Sequence, residues 1–177
     1  MNATPAINVL LADDHEVVRA GYRRLLETTT DIAVVAEACS GEEAYQRFFE
    51  HHPDVLVMDL SMPGMGGLEA SRKILARDKT ARILVFSVHE NEVYLNRALE
   101  TGILGYISKR SASQVMIDAV RQVAGGEAYI GQEMMTYLLN RKITPESESL
   151  AGLSPREFEV FHLLANSKSV NEIAAIL

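Results

Sequence analysis

Five short apolar runs, separated by stretches with helical spacing, constrain this chain more than any other feature. They occupy residues 7–12, 32–36, 54–58, 82–87 and 104–107. Apolar runs bounded by turn signals read as strands, and the partly β-branched run at 54–58 as one buried on both faces. Between the first two, Val17, Val18, Tyr22, Leu25 and Leu26 recur at helical intervals over 16–27. Ser40-Gly41-Glu42-Glu43 opens a second helix to about His51, with acidic residues in its first turn. A third runs through Leu68, Ser71, Ile74 and Leu75 after Gly66-Gly67, a fourth covers 91–101 before Gly102, and a fifth runs from Ser111 to the Gly125-Gly126 pair.

Strands alternating with helices require a parallel sheet covered by helices on both faces. Right-handed crossovers then favour a doubly wound, flavodoxin-like order. The predicted fold is therefore α/β: a doubly wound five-stranded parallel sheet over residues 7–127, followed by an all-α segment. Ligands of such sheets bind at the C-terminal ends of the strands.

The residues at those ends are chemically selective. Asp13-Asp14 follow the first run, Asp59 the third, Ser87 closes the fourth, and Lys109 lies just past the fifth. Taken singly, an Asp here caps a helix or forms a turn, and a Ser or Lys is an ordinary strand-end group. Together they form a constellation. Three carboxylates at one edge repel, and a hard divalent cation with oxygen ligands relieves that repulsion. Magnesium is the expected ion. Lys109 and the Ser87 hydroxyl supply a positive charge and a donor to a transferring phosphoryl group. Asp59 is the candidate nucleophile.

Composition narrows the class. The net charge of −7 excludes a general nucleic-acid surface, and neither residues 1–127 nor 128–177 carry a basic stripe. No apolar run approaches the roughly 20 residues of a membrane span, and the N-terminus lacks a basic signal-peptide region. Cys39 is the one cysteine. It allows no internal disulfide, suits a cytoplasmic location, and is expected to be a small buried side chain.

On Asp13-Asp14, Asp59 within Met58-Asp59-Leu60-Ser61-Met62-Pro63-Gly64, Ser87 and Lys109, residues 7–127 resemble the receiver domain of bacterial two-component response regulators. Ala12-Asp13-Asp14-His15, Gly64-Met65-Gly66-Gly67-Leu68-Glu69-Ala70 and Ser87-Val88-His89-Glu90 resemble the NarL/FixJ subfamily in particular. The resemblance implies that Asp59 accepts a phosphoryl group from a sensor histidine kinase, with slow autodephosphorylation at most. It implies magnesium held by Asp13, Asp14, Asp59 and the backbone carbonyl of Ser61. Ser87 and Lys109 would contact the phosphoryl oxygens, and Tyr106 would be the aromatic whose rotation accompanies activation. His89 lies where such receivers tune phosphoryl lifetime, although a plain surface imidazole fits the sequence equally. Many receivers carry Pro after the lysine; here Arg110 follows, and a cis bond without proline costs about 3 kcal/mol, so a trans bond is expected.

After Gly126 the character changes. A helix is expected over 131–140 and a polar linker over 141–152, within the 128–152 connecting segment. Residues 153–177 resemble the start of a LuxR-type helix-turn-helix domain through Leu153-Ser154-Pro155-Arg156-Glu157 and Val170-Asn171-Glu172-Ile173-Ala174-Ala175-Ile176-Leu177. Ser154 as cap with Pro155 at the first helical position is a strong helix start. The helix that reads base edges would lie beyond Leu177. This chain is accordingly expected not to bind specific promoter DNA by itself, whereas a complete family member would. Apolar residues such as Phe158 and Phe161 would pack against the receiver, pair in a homodimer, or stay loosely ordered. No membrane partner is expected.

One rival belongs to another class. Haloacid-dehalogenase-like phosphatases also pair a nucleophilic Asp with magnesium, but carry a second Asp two residues later. That place here is Ser61.

Overall fold

The computed structural model describes residues 6–90, 92–111, 113–132, 134–135, 157 and 160. The linker expected over 141–152 and, apart from Glu157 and Val160, the segment 153–177 lie outside these residues. So does most of the helix expected over 131–140, of which Gln132, Met134 and Met135 are helical.

Strands β1 (Ile7–Ala12), β2 (Ile32–Ala38), β3 (Val55–Met58), β4 (Ile83–Ser87) and β5 (Gly105–Ser108) alternate with α1 (Glu16–Leu26), α2 (Gly41–His51), α3 (Gly67–Arg77), α4 (Glu92–Thr101) and α5 (Ser113–Ala124). A sixth strand, β6 (Tyr129–Ile130), completes an all-parallel sheet of order β2-β1-β3-β4-β5-β6. The first five follow the doubly wound 2-1-3-4-5 order. Among the described residues no helix is long and apolar enough to cross a membrane.

The central strands β3, β4 and β5 are buried at every position, as the unbroken apolar runs require. Side chains alternate between two cores. Leu10, Leu56, Met58, Ile83 and Val85 face α2, α3 and α4 with Phe48, Ile74 and Leu95. Val9, Leu11, Val57, Leu84 and Phe86 face α1 and α5 with Leu26, Met116 and Val120.

Edge strand β2 departs from simple alternation. Val9 pairs with Val34 and Leu10 with Ala36, so Val35 is skipped as a bulge. Ile32 and Val34 therefore belong to the α1/α5 core, while Ala36 and Ala38 cross to the other. An extra residue reverses the facing of all that follow. Glu37, paired with Leu11, is turned toward α1.

Helix α2 begins as the sequence indicates. The Ser40 hydroxyl accepts from the Glu43 N–H at 3.2 Å, and Glu43 accepts from the Cys39 N–H at 2.7 Å. Cys39 is exposed, contrary to the expectation of a buried side chain. It follows the last, buried residue of β2, and alternation carries it outward.

The sixth strand was not expected from the sequence. Tyr129-Ile130 is too short to register as a run, yet it pairs with Gly105 and Tyr106. Met134 behind it is fully buried in the α2/α3/α4 core.

Candidate functional site

Parallel pairing brings the C-terminal ends of β1, β3, β4 and β5 to one edge. Asp59 stands one residue past β3, with its N–H donated to the Ala12 carbonyl of β1 at 2.9 Å. The loop after it is drawn tight by a close approach. A Cβ on Gly67 would lie 1.8 Å from the Asp59 carbonyl oxygen, so only glycine lets α3 start this near the carboxylate. Gly64 in the intervening turn has φ of 74°, a conformation that L side chains rarely adopt.

Asp13 and Asp59 are each 2 % exposed, and Lys109 joins them. Its Nζ donates to Asp13 Oδ2 at 2.6 Å and to Asp59 Oδ2 at 2.7 Å. The ammonium also lies 5.6 Å from the centre of the Phe86 ring. Asp13 Oδ1 accepts from the His15 N–H at 2.8 Å, and Asp59 Oδ1 from the Ser61 N–H at 3.3 Å. Asp13 thus steadies the residue that precedes α1, through the oxygen that Lys109 does not use, but makes no capping bond to the helix itself.

Burial pushes the Asp59 carboxyl up to about 6, with the Asp13 charge adding to the rise and Lys109 opposing it. For Lys109, burial works against the charge. The Asp59 and Asp13 carboxylates outweigh it and hold the ammonium above the ordinary lysine range.

Asp14 completes the acidic set. Its Oδ1 is buried without a hydrogen-bond partner; His15 Nδ1 lies 2.9 Å from it. Ligand atoms of Asp13, Asp14, His15 and Asp59 all lie within 4.8 Å of one another. An orphaned carboxylate oxygen among clustered acids is a donor set that fits a hard divalent cation.

Ser87 is fully buried at the end of β4, and its hydroxyl accepts from the His89 N–H at 3.2 Å. Tyr106 is also fully buried, donating its hydroxyl to the His89 carbonyl at 2.7 Å. Ser61 Oγ and His89 Nε2 share a hydrogen bond of 2.7 Å, and the imidazole stacks on Tyr94 with ring centres 4.0 Å apart. His89 is therefore a junction between two loops and not the plain surface imidazole that the sequence also allowed. The Lys109–Arg110 peptide is trans, as expected. Arg110 instead pairs with Glu90 at 3.1 Å, and Glu90 accepts from the Ser108 hydroxyl. Every predicted site residue but Tyr106 lies at this edge; Tyr106 stands within β5 and reaches toward the edge through its hydroxyl, and His15, Phe86 and Glu90 were not singled out as members. Only His15 carried a signal, its adjacency to the acidic pair.

Residues 9–121 match the response regulator receiver domain family. The chain is 42 % identical over 170 residues to the response regulator UvrY of Escherichia coli K12, covering 95 % of this chain and 78 % of that one. A LuxR-family two-component response regulator from Aurantimonas sp. SI85-9A1 superposes with a TM-score of 0.76 at 37 % identity, over 78 % of this chain and 99 % of that one. This chain belongs to the response regulators of the LuxR family. The Salmonella typhimurium RcsB response regulator, in a structure addressing its conformational dynamism for DNA interaction, gives a TM-score of 0.73 at 28 % identity, over 97 % and 83 %.

As a response regulator, the chain works in two-component signalling, and nothing supports the dehalogenase-like phosphatase. Where that enzyme needs a second acid, this response regulator has Ser61, whose hydroxyl is engaged by His89.

Proposed function

We propose that Asp59 is the phosphoacceptor of this response regulator and that Asp13, Asp14, Asp59 and the Ser61 carbonyl hold magnesium. The carrying observation is the Lys109 ammonium held between Asp13 and Asp59, beside the unsatisfied Asp14 oxygen. A carboxylate oxygen of Asp59 forms a bond to phosphorus as the N–P bond of a kinase phosphohistidine breaks, and the imidazole leaves with that electron pair. Magnesium, when bound, neutralises charge on the carboxylates and the transferring phosphoryl oxygens. Lys109 offers its ammonium to the same oxygens, and the Ser87 hydroxyl donates to them once it is turned from its present contacts.

Asp59 is accordingly an acceptor and not a turnover catalyst; slow hydrolysis of the acyl phosphate returns it to the free acid. Residues 7–127 form the receiver, 128–152 connect it, and 153–177 belong to a LuxR-type helix-turn-helix, so the output is transcriptional. The partners are a sensor histidine kinase and a second copy of the chain; promoter DNA is the partner of a complete family member.

The test is incubation of the full chain with a small-molecule phosphoryl donor and magnesium, followed by intact-mass analysis. One phosphoryl group is expected, labile to hydroxylamine and absent from Asp59→Asn. Equal labelling of Asp59→Asn would overturn the assignment.

A further inference from the structure

The bulge at Val35 has a partner in the site. By turning Glu37 toward α1, it places that carboxylate against two arginines of the helix. Arg19 Nε donates to Glu37 Oε2 at 2.8 Å, and an Arg23 guanidinium nitrogen donates to Glu37 Oε1 at 2.5 Å. The Arg19 side chain is only 15 % exposed. Its second arm reaches the loop between β1 and α1, where it donates to the backbone carbonyl of Asp13 at 2.5 Å.

Both backbone groups of Asp13 are thereby fixed. Its N–H goes to the Ala38 carbonyl on β2 at 3.1 Å, and its C=O to Arg19. One segment of β2, just beyond the bulge, holds Asp13 from both sides: directly through Ala38, and through Glu37 and Arg19. The planar guanidinium suits this task because its nitrogens point in fixed directions.

We infer that Arg19 and Glu37 are positioning residues for the acidic pair, acting through the Asp13 carbonyl to set the orientation in which Asp13 and Asp14 hold a divalent cation. The inference rests on the reading of those carboxylates as the metal-holding set. Groups that orient metal ligands without touching the metal commonly change affinity about 10- to 100-fold when removed.

Magnesium is titrated by calorimetry into the full chain carrying Arg19→Met, Arg19→Lys, Glu37→Gln or Asp14→Asn, with metal-free thermal melts alongside. Arg19→Met is expected to weaken magnesium binding about tenfold while still melting cooperatively. Arg19→Lys keeps the charge but cannot span Glu37 and the Asp13 carbonyl, and should lose most of the same factor. Glu37→Gln retains one acceptor and should show a smaller loss, so it reports even if Arg19→Met fails to fold.

Unchanged or tighter binding in Arg19→Met, together with weakened binding in Asp14→Asn, would overturn the positioning role alone. Full affinity in Arg19→Lys would overturn it in favour of a simple charge effect. If Asp14→Asn also binds magnesium normally, the metal assignment falls and this inference with it.

Discussion

The Tyr106 hydroxyl is donated to the backbone carbonyl of His89 at 2.7 Å, tying a fully buried ring on β5 to the loop that follows β4. Burial holds the phenol above its ordinary range, so it remains a donor at any physiological pH. Tyr106→Phe removes the donor and leaves a carbonyl without it. A loss of about 1 kcal/mol is expected for one such bond, read from the urea midpoint at unchanged slope.

Asp59 predicts a definite pH dependence in the metal-free chain. Its folded pKa of about 6 lies above the ordinary unfolded value near 3.9. Between the two, the folded state binds more proton than the unfolded state. The contribution to stability is fully present below about pH 4 and is lost as pH rises through about 6, by an amount on the order of 3 kcal/mol. Asp59→Asn removes this titration. Denaturation at pH 4.5 and 7.5 should therefore show the variant gaining on the parent at the higher pH; parallel curves would contradict the assignment.

Magnesium binding should follow the same proton. A cation competes with protonation of Asp59, so affinity is expected to hold above pH 6 and to fall by up to about tenfold for each pH unit below it. Calorimetry at pH 5 and 7.5 measures this, and Asp14→Asn should abolish the accompanying rise in melting temperature.

Lys109→Met leaves Asp13 and Asp59 buried without their shared cation. Removing one partner of a buried pair costs about 3–5 kcal/mol when the other stays charged. The expected escape is protonation, moving the Asp59 carboxyl further upward from about 6. Carboxyl carbon chemical shifts across a pH series would follow it, and a downward move would contradict the ion pairs described.

Gly67→Ala tests the tight loop. The new methyl would lie 1.8 Å from the Asp59 carbonyl oxygen, a backbone atom that cannot swing aside. Overpacking of this kind costs about 1–3 kcal/mol or more. Phosphoryl acceptance should fall as well, because relief requires Asp59 or the start of α3 to move.

Much of this was legible in the residues. The apolar runs specify β1 to β5, most plainly β3, β4 and β5, where burial at every position leaves little room for polar residues, and the strand-end position of Asp13, Asp14, Asp59, Ser87 and Lys109 follows from parallel topology alone. Three things were not. The bulge at Val35 has no sequence mark, since Val, Ala and Glu are all compatible with simple alternation; only pairing with β1 reveals the reversal that turns Glu37 toward α1. The outward Cys39 depends on where β2 ends. The hydrogen bond of Ser61 to His89 joins residues 28 apart in sequence, through loops whose geometry no local pattern encodes.

Strand β6 is two residues long, with Gly131 N–H donated to the Tyr106 carbonyl at 2.8 Å. So short a border gives a foreign strand little backbone to zip onto, which guards this flank of the sheet against accretion of other chains. It also moors the outgoing polypeptide to the peptide group of Tyr106 itself. A tilt or slide of that tyrosine's backbone would carry Gly131 with it, and with Gly131 the Met134 and Met135 N–H groups that donate to its carbonyl.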